Sequence, residues 1–169
     1  MNTCAIRMIG VKDMIKKFLS VTALAASAAL LSAPAQAQSW NGAYVGAFGG
    51  SGFDGADSIY GLWGGYNARL EDFVLGAEVE VYGYSGSQSD GFVKARVGYV
   101  ANDSILVYGT LGTGRYLTGG TNLWLGGVGV EFATGGPATL RLEFDKENTT
   151  GSSLSSGPSF VKAGVNWNF

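Results

Sequence analysis

The stretch "FVLGAEVEVYGY", residues 73–84, alternates apolar and polar side chains with a period of two. Glu78, Glu80 and Tyr82 fall on one face of this pattern. Because successive side chains of a β-strand point to opposite faces, the stretch predicts a strand with one charged face and one apolar face. The residues of the apolar face are Phe73, Leu75, Ala77, Val79 and Val81.

The same two-faced pattern returns further along the chain. One segment places Lys94 and Arg96 opposite an apolar face, and a later one does the same for Arg141 and Glu143. In each of these predicted strands, the charged residues therefore lie on one face and the apolar residues lie on the other. This separation predicts a sheet with one consistently charged side and one consistently apolar side.

From residue 40 onward, the chain divides into eight segments of this kind, separated by clusters of Gly, Asp, Asn and Ser. An even number of alternating segments of roughly ten residues is typical of transmembrane β-barrels. The sequence therefore predicts an all-β fold, an eight-stranded antiparallel up-and-down transmembrane β-barrel. The predicted strands cover residues 40–50, 58–68, 73–84, 91–101, 104–114, 122–133, 138–146 and 159–169.

Short and long connections alternate between these strands. Tight turns are predicted at 69–72, 102–103 and 134–137. Longer polar connections are predicted at 51–57, 85–91, 115–121 and 146–157. Membrane barrels have short turns on the periplasmic side and longer loops outside, so the alternation supports the barrel and orients it.

A soluble ligand-carrying barrel of the lipocalin kind is the alternative architecture. It would place the apolar face inside and the charges in water, whereas a membrane barrel places them the other way round. Alternation alone does not separate the two. The terminal Phe169 and the aromatic residues near predicted strand ends favour the membrane, because such barrels carry aromatic girdles at both interfaces. The proposed girdle residues are Trp40, Tyr60, Tyr66, Tyr99, Tyr108, Trp124 and Trp167.

The third and fourth strands predict cross-strand ion pairs. If the two strands pair about a loop centred near Ser87, Glu78 lies opposite Arg96 and Glu80 lies opposite Lys94. Opposite charges on facing positions of an antiparallel pair stabilise it. We therefore expect these four side chains to form one half of an interior ion network.

The other half of the network comes from the last three strands. The turn at 134–137 places Glu131 opposite Arg141, and Glu143 can face Lys162 across the last loop. The interior of an eight-stranded barrel is just wide enough to be filled by side chains. The eight charged residues would then form a plug, and we expect no wide pore.

The N-terminal residues resemble a bacterial secretory signal. Lys16 and Lys17 precede an apolar run at 18–31, which is followed by a small-x-small cleavage site formed by Ala35 and Ala37. The run is shorter than the roughly 20 residues that a spanning helix needs. We therefore predict a cleavable signal peptide at residues 1–37 and a single mature domain at residues 38–169, with Met14 as an alternative start of translation.

Composition limits the chemistry of the mature chain. The only cysteine, Cys4, lies in the predicted leader, and the chain contains no histidine. Disulfides and metal sites built on Cys or His are therefore excluded, and we predict no metal and no cofactor. The mature chain has seven basic and twelve acidic residues, a net charge of −5, which gives no footprint for nucleic acid.

Four segments resemble a known family: "WNGAYVGAFGG" (40–50), "GLWGGYNARLEDFVLGAEVEV" (61–81), "LWLGGVGVEFATGGPATLRLEF" (123–144) and "VKAGVNWNF" (161–169). They are similar to the small outer-membrane β-barrel proteins of alphaproteobacteria, the porin-family or OmpA-like eight-stranded barrels. The resemblance implies the outer membrane of a Gram-negative bacterium, with its lipid and lipopolysaccharide as partners. It also implies insertion by the barrel-assembly machinery, which reads the last strand and its aromatic residues, here Trp167 and Phe169.

Three classes of function compete. The first is a non-enzymatic barrel with a structural, envelope-integrity or porin-like role and a filled interior. The second is a surface adhesin or receptor that acts through its outer loops, which are small, polar and generic. The third is an outer-membrane enzyme, but a His-activated nucleophile is excluded, and Glu78 and Glu80 facing Lys94 and Arg96 are more simply a structural network. We therefore predict no catalytic residues.

Overall fold

The computed structural model describes residues 40–53, 58–85, 88–117, 119–152 and 157–169. These residues form eight antiparallel β-strands, paired in sequence order and closed by pairing of the first strand with the last, so the predicted fold class is confirmed. The predicted signal peptide, with Ala35 and Ala37, lies outside the described residues. The strands are β1 (Gly42–Gly52), β2 (Ser58–Leu70), β3 (Phe73–Tyr84), β4 (Ser89–Asn102), β5 (Ile105–Tyr116), β6 (Asn122–Ala133), β7 (Ala138–Thr149) and β8 (Ser159–Asn168).

Several strands are longer than the hydrophobic pattern predicts. β4 begins at Ser89 instead of residue 91, and β7 continues through Glu147 and Asn148 to Thr149 instead of ending at residue 146. Backbone ladder hydrogen bonds form between polar residues as readily as between apolar ones. Apolar alternation therefore marks only the middle of each strand, and the polar ends are invisible to it.

The two ends of the barrel differ. At one end, hereafter the tight-turn end, β2 and β3 are joined by Glu71 and Asp72 alone, and β4 and β5 by Asp103 and Ser104. Glu71 has a φ of 56°, in the left-handed region that such a short reversal uses. The first and last strands also meet at this end of the barrel, where the Phe169 amide donates to the Ala43 carbonyl at 2.9 Å. The opposite end, hereafter the loop end, carries the longer connections.

The outer surface of the barrel is apolar and its inner surface is charged. Val79 is 56% exposed, whereas its neighbour Glu80 is fully buried. This orientation is wrong for a soluble lipocalin-like barrel, which would bury the apolar face, and it is the orientation of a membrane barrel. Among the described residues, no helix has the length and apolar character needed to cross a membrane. Exposed apolar side chains include Leu62, Phe73, Leu75, Val81, Val93, Val97, Val107, Leu111, Val128, Leu140, Leu142 and Val165.

The interior has three layers. A lower cluster near the tight-turn end contains Trp40, Val74, Val100, Leu106 and Tyr108. Charged side chains fill the middle. An upper cluster extends from the middle to the loop end, and its buried members are Tyr44, Phe48, Ile59, Trp63, Tyr82, Phe92, Leu123, Leu125 and Phe160.

Inward-facing glycines make room for the large interior side chains. A Cβ built on Gly129 would overlap the hydroxyl and ring of Tyr108, and one on Gly127 would overlap the carboxyl group of Asp145. A narrow barrel can enclose such large groups only where the facing strand carries no side chain. Gly127 and Gly129 therefore leave the space that the side chains of Asp145 and Tyr108 occupy.

Candidate functional site: the buried ion network

The structure places all eight residues of the predicted network inside the barrel. They come from five strands, β3, β4, β6, β7 and β8, and each is at most 3% exposed. Inward alternation on each strand brings the charges to similar heights, where they meet across the barrel axis. The residues are Glu78, Glu80, Lys94, Arg96, Glu131, Arg141, Glu143 and Lys162.

Lys94 lies at the centre of three carboxylates. Its Nζ is 2.6 Å from Glu78 Oε1 and 2.9 Å from Glu143 Oε1, and it also donates to Glu80 Oε2. Oxygen atoms of these glutamates lie within 4.8 Å of one another, a spacing that could hold a metal ion. The Lys94 ammonium already occupies that position and supplies the positive charge, so a metal would have to displace it.

Arg141 joins two carboxylates to an aromatic pair. Its guanidinium binds Glu78 through both terminal nitrogens, one of them 3.1 Å from Oε1, and it also binds Glu143. The guanidinium carbon lies 3.8 Å from the ring centroid of Trp63, and Nε donates to the Tyr108 hydroxyl at 2.6 Å. Planar guanidinium groups suit this combination of forked hydrogen bonding and stacking.

Arg96 occupies the tight-turn side of the network. Its Nη2 is 2.5 Å from Glu131 Oε1, and its Nη1 donates to the Tyr44 hydroxyl at 2.8 Å. Tyr44 in turn donates to Glu78 Oε2 at 2.6 Å. The guanidinium also lies over the Tyr108 ring at 4.0 Å. Tyr44 therefore connects the Arg96 pair to the central carboxylates.

Lys162 occupies the loop side of the network. Its Nζ donates to Glu80 Oε1 and lies 2.7 Å from Asp145 Oδ2. Both oxygens of Glu80 are therefore bound by ammonium groups, one from Lys94 and one from Lys162. Glu143 lies opposite Lys162 in the ladder, yet its own ion pairs are with Lys94 and Arg141.

The predicted register between β3 and β4 is wrong by two residues. Glu78 lies opposite Lys94 and not opposite Arg96, and Phe92 lies opposite Glu80. Pairing continues to Gly83↔Ser89, so the connection is shorter than the sequence pattern suggests. Because the error is even, every side chain keeps its predicted face. Arg96 still reaches Glu78, at 3.6 Å, along a diagonal contact.

Sequence reasoning missed three members of the network. Asp145 shares the inward alternation of Arg141 and Glu143, and this alternation is the signal that could have identified it. Tyr44 and Tyr108 carry no such signal, because a tyrosine suits the inside of a barrel and its membrane interface equally well. Only the packed structure places both hydroxyls among the charges.

The predicted aromatic girdle is wrong for two of its residues, which lie inside the barrel and not on its outer surface. Trp40 and Tyr108 are 5% and 3% exposed and belong to the lower cluster inside the barrel. Tyr108 shares its strand face with Leu106 and Thr110, which are also buried. Trp40 precedes β1 with a φ of 49°. The girdle residues on the outer surface are Tyr60, Tyr66, Tyr99 and Trp167, with Trp124 half-buried.

The network leaves little room for acid–base chemistry. Glu78 Oε1 is bound by Lys94, and its Oε2 accepts from Arg141 and Tyr44. Glu80 is bound on both oxygens, as described above. A carboxylate whose lone pairs are occupied by cations is poorly suited to accept a proton from a substrate. The arrangement instead connects five strands through charge-assisted hydrogen bonds.

The last strand has the predicted faces. Trp167 points outward and is 51% exposed, and the half-buried Phe169 follows the end of β8. β8 pairs with β1 along its length, from Tyr44↔Asn168 to Gly52↔Phe160. The recognition of these aromatic residues during assembly stays a prediction.

No protein-family model matches the sequence, and the comparison with curated proteins gives no match. Among solved structures, the chain is similar to the N-terminal β-barrel domain of Pseudomonas aeruginosa OprF, with a TM-score of 0.60 and 17% identity over 79% of this chain and 100% of that chain. It is also similar to Neisserial surface protein A, with a TM-score of 0.51 and 15% identity over 75% and 97% of the two chains. A de novo designed transmembrane β-barrel gives a TM-score of 0.60 and 16% identity over 79% and 100%.

Similarity at this level of identity shows the fold alone. The fold is that of eight-stranded transmembrane β-barrels, as the OmpA-like resemblance implied. The alphaproteobacterial origin suggested by the sequence motifs stays a prediction.

Proposed function

We propose that this chain is a non-enzymatic β-barrel protein of the outer membrane of a Gram-negative bacterium, with a structural role in envelope integrity. The observation that supports this proposal is the inversion of the barrel, with apolar side chains outside and a filled, charged interior. The three interior layers occupy the barrel from the tight-turn end to the loop end. Any porin-like leakage is therefore restricted to very small solutes.

Single-channel recording tests the filled interior. Refolded protein in a planar bilayer is expected to give no nanosiemens openings, because the rings of Phe48 and Trp63 stack at 4.4 Å inside the barrel. Replacing both with Ala should raise the conductance. The matched control replaces Tyr60 and Tyr66, which are outward aromatics, with Ala and should leave the conductance unchanged. Nanosiemens openings of the wild-type protein would contradict the structural role and favour a porin.

We infer that the predicted signal peptide exports the chain and that the barrel-assembly machinery then inserts it by reading its last strand. Deleting Phe169 should leave export intact but lower the amount of folded barrel in the outer-membrane fraction. Folded barrel is measured as the protein whose gel mobility changes on boiling. Phe169→Tyr is the control, because it keeps an aromatic ring at the terminus. Equal assembly of the deletion and the control would show that the terminal aromatic is incidental.

We propose outer-membrane lipid and lipopolysaccharide as partners of the outer surface. Arg115 is exposed near the loop end of β5, where its Nε donates to the Gly120 carbonyl at 2.9 Å. The other guanidinium donors suit lipid phosphate. Arg115→Gln should lower retention of a phosphorylated lipid A by the purified barrel. Arg69→Gln is the control, because Arg69 lies at the tight-turn end and makes a similar contact to the Glu71 carbonyl. Equal retention by both variants would contradict this contact.

A further inference from the structure

A shallow groove on the outer surface of the barrel starts near the loop end and crosses β3, β4 and β5. It encloses about 340 Å³ and has Arg115 at its upper edge. Val81, Gly91 and Arg115 lie opposite one another on the three strands and form one row across the sheet. The next row towards the middle of the barrel consists of Val79, Val93 and Thr113. The groove therefore leads from a basic side chain into the apolar band.

Gly91 forms the floor of this groove. It lies at an outward position of β4, between the exposed side chains of Val81 and Leu117. A Cβ built on Gly91 would lie 3.5 Å from Leu117 Cδ2 and 3.8 Å from Val81 Cγ1. These are ordinary contact distances, so a large side chain at this position would fill the space between the two walls. Glycine in a strand allows another molecule to come close to the backbone, and here that space is open to the apolar side of the barrel.

The walls of the groove suit a hydrocarbon chain. Val79, Val93 and Leu117 are each more than half exposed. The Thr113 hydroxyl donates to the Leu123 carbonyl at 3.1 Å, so it needs no partner from a ligand. Leu117 is fixed against β4, because its amide donates to the Ser89 carbonyl at 2.9 Å. An acyl chain in the groove would therefore contact apolar walls held in place by hydrogen bonds within the protein.

Arg115 supplies a positive charge at the head of the groove. Its side chain is exposed, its Nε donates to the Gly120 carbonyl at 2.9 Å, and it forms no ion pair with any described residue. This hydrogen bond holds the guanidinium at the loop end of the groove. Guanidinium groups bind phosphate through paired N–H donors. A phosphate bound here would bring an attached acyl chain to the level of Gly91 and Val93.

A second groove on the outer surface provides a comparison. It encloses about 370 Å³ across β5–β8, and its outward lining includes Val128, Leu142 and Phe144. None of the described residues that line it is basic. A lipid in that groove would gain only dispersion contacts, which any acyl chain can make, whereas a lipid below Arg115 would also gain a charge-assisted hydrogen bond. Of these two grooves, only the one below Arg115 can select a lipid by its headgroup.

We propose that the groove below Arg115 is a binding site for a single phosphorylated lipid, with its phosphate on the guanidinium and one acyl chain over Gly91, between Val81 and Leu117. This inference rests on the outer-membrane function and the Arg115 contact proposed above, and it adds a defined place for the acyl chain. The longer loops of membrane barrels lie outside the cell. In that orientation the groove opens to the outer leaflet, and its occupant is the lipid A part of lipopolysaccharide.

Native mass spectrometry of the refolded barrel in uncharged detergent, titrated with monophosphorylated lipid A, tests the site. The wild type should retain a single lipid A molecule. Gly91→Ile should weaken the apparent affinity about tenfold, because the new side chain takes the space of the acyl chain. Gly49→Ile is the matched control, since Gly49 is an outward glycine of β1 with no atom within 4 Å of a Cβ. It should bind lipid A as the wild type does.

The variants separate the acyl chain from the phosphate. If Gly91→Ile binds as the wild type does while Arg115→Gln binds more weakly, the phosphate contact stands and the acyl site is overturned. If only Gly91→Ile binds more weakly, the groove accepts acyl chains without regard to the phosphate, and the selection of a phosphorylated lipid is overturned. Equal binding by the wild type and both variants would overturn the site and the Arg115 contact together.

Two further measurements complete the test. The phosphorylated headgroup of lipid A without its acyl chains should not be retained by the wild type, and equal retention of headgroup and lipid would overturn the proposal without any variant. The change of gel mobility on boiling reports whether each variant folds. Because Gly91 faces outward, Gly91→Ile should leave the single-channel conductance unchanged, so failure of the structural role and failure of the lipid site are distinguished.

Discussion

Val79 and Glu80 are neighbours in β3, and their surroundings are opposite. Val79 points outward with 56% of its surface exposed, whereas Glu80 is fully buried between Lys94 and Lys162. The outer surface has apolar side chains, and the described residues form no ion pairs there. The interior has charges whose stability depends on each partner. The difference teaches that a charge is tolerated in this barrel only where other charges and hydrogen bonds surround it.

Breaking the centre of the interior should have the largest effect. Lys94→Met removes the ammonium shared by Glu78, Glu80 and Glu143. We expect a loss of about 3–5 kcal/mol in the free energy of unfolding, because buried carboxylates lose their counter-charge. The measurement is denaturant unfolding in lipid vesicles. Adding Glu80→Gln to Lys94→Met should restore part of the loss, and full stability of the single variant would contradict a tightly packed network.

The outer surface should respond to the opposite change, the addition of a charge. Val79→Arg places a guanidinium on the apolar band, with an expected cost of about 2–4 kcal/mol at the membrane midplane. Val79→Leu is the control and should be almost neutral. The same vesicle unfolding assay measures both. If Val79→Arg proves harmless while Glu80→Leu stabilises the protein, the apolar face does not contact lipid.

Glycines on the two faces should also differ. Gly129→Ala introduces a methyl group against Tyr108, and we expect a loss of about 1–3 kcal/mol from overpacking. Gly49 points outward with no atom within 4 Å of a Cβ, so Gly49→Ala should cause no loss. Thermal unfolding of the two variants in the same detergent compares them. Equal melting temperatures would show that the interior yields more easily than its packing suggests.

The smallest effect is expected at a half-buried charge at the tight-turn end, outside both environments. Arg69 lies at the tight-turn end, and its Nε donates to the Glu71 carbonyl at 2.7 Å. Arg69→Gln should change the free energy of unfolding by less than about 0.5 kcal/mol, because water replaces the contact. Denaturant unfolding with and without added salt checks this. A loss comparable to that of Lys94→Met would mean that charges are costly to remove everywhere in the molecule.

Much of the fold could be predicted because it depends on local alternation. The period of two locates all eight strands and assigns Glu80, Lys94 and Arg141 to the charged face. The limits of the strands were less accurate, since β7 continues through polar residues that carry no apolar signal. The predicted β3–β4 register was wrong for a related reason. The polar residues at the start of β4 belong to the strand, so the connection is shorter than its polar composition suggests.

The candidate site could be predicted only in part. The period-two pattern identifies the charged residues that share a strand face, but it does not predict which of them contact each other across the barrel. Lys94 contacts Glu143 from a strand 49 positions away, and Arg141 contacts Glu78 from 63 positions away. Tyr44 and Tyr108 enter the network through hydroxyl groups that no alternation rule assigns.

By itself, the sequence determined the strands and which side chains share a face, because successive side chains of an extended backbone point in opposite directions. Alternation by itself did not determine which face would lie inside, since it is the same for a soluble and a membrane barrel; the aromatic residues near strand ends only favoured the membrane orientation. Only closure of the eight strands decided that Glu80 is enclosed and Val79 faces outward. Closure also set the cross-barrel partners, because distances across a barrel depend on the register of all eight strands together.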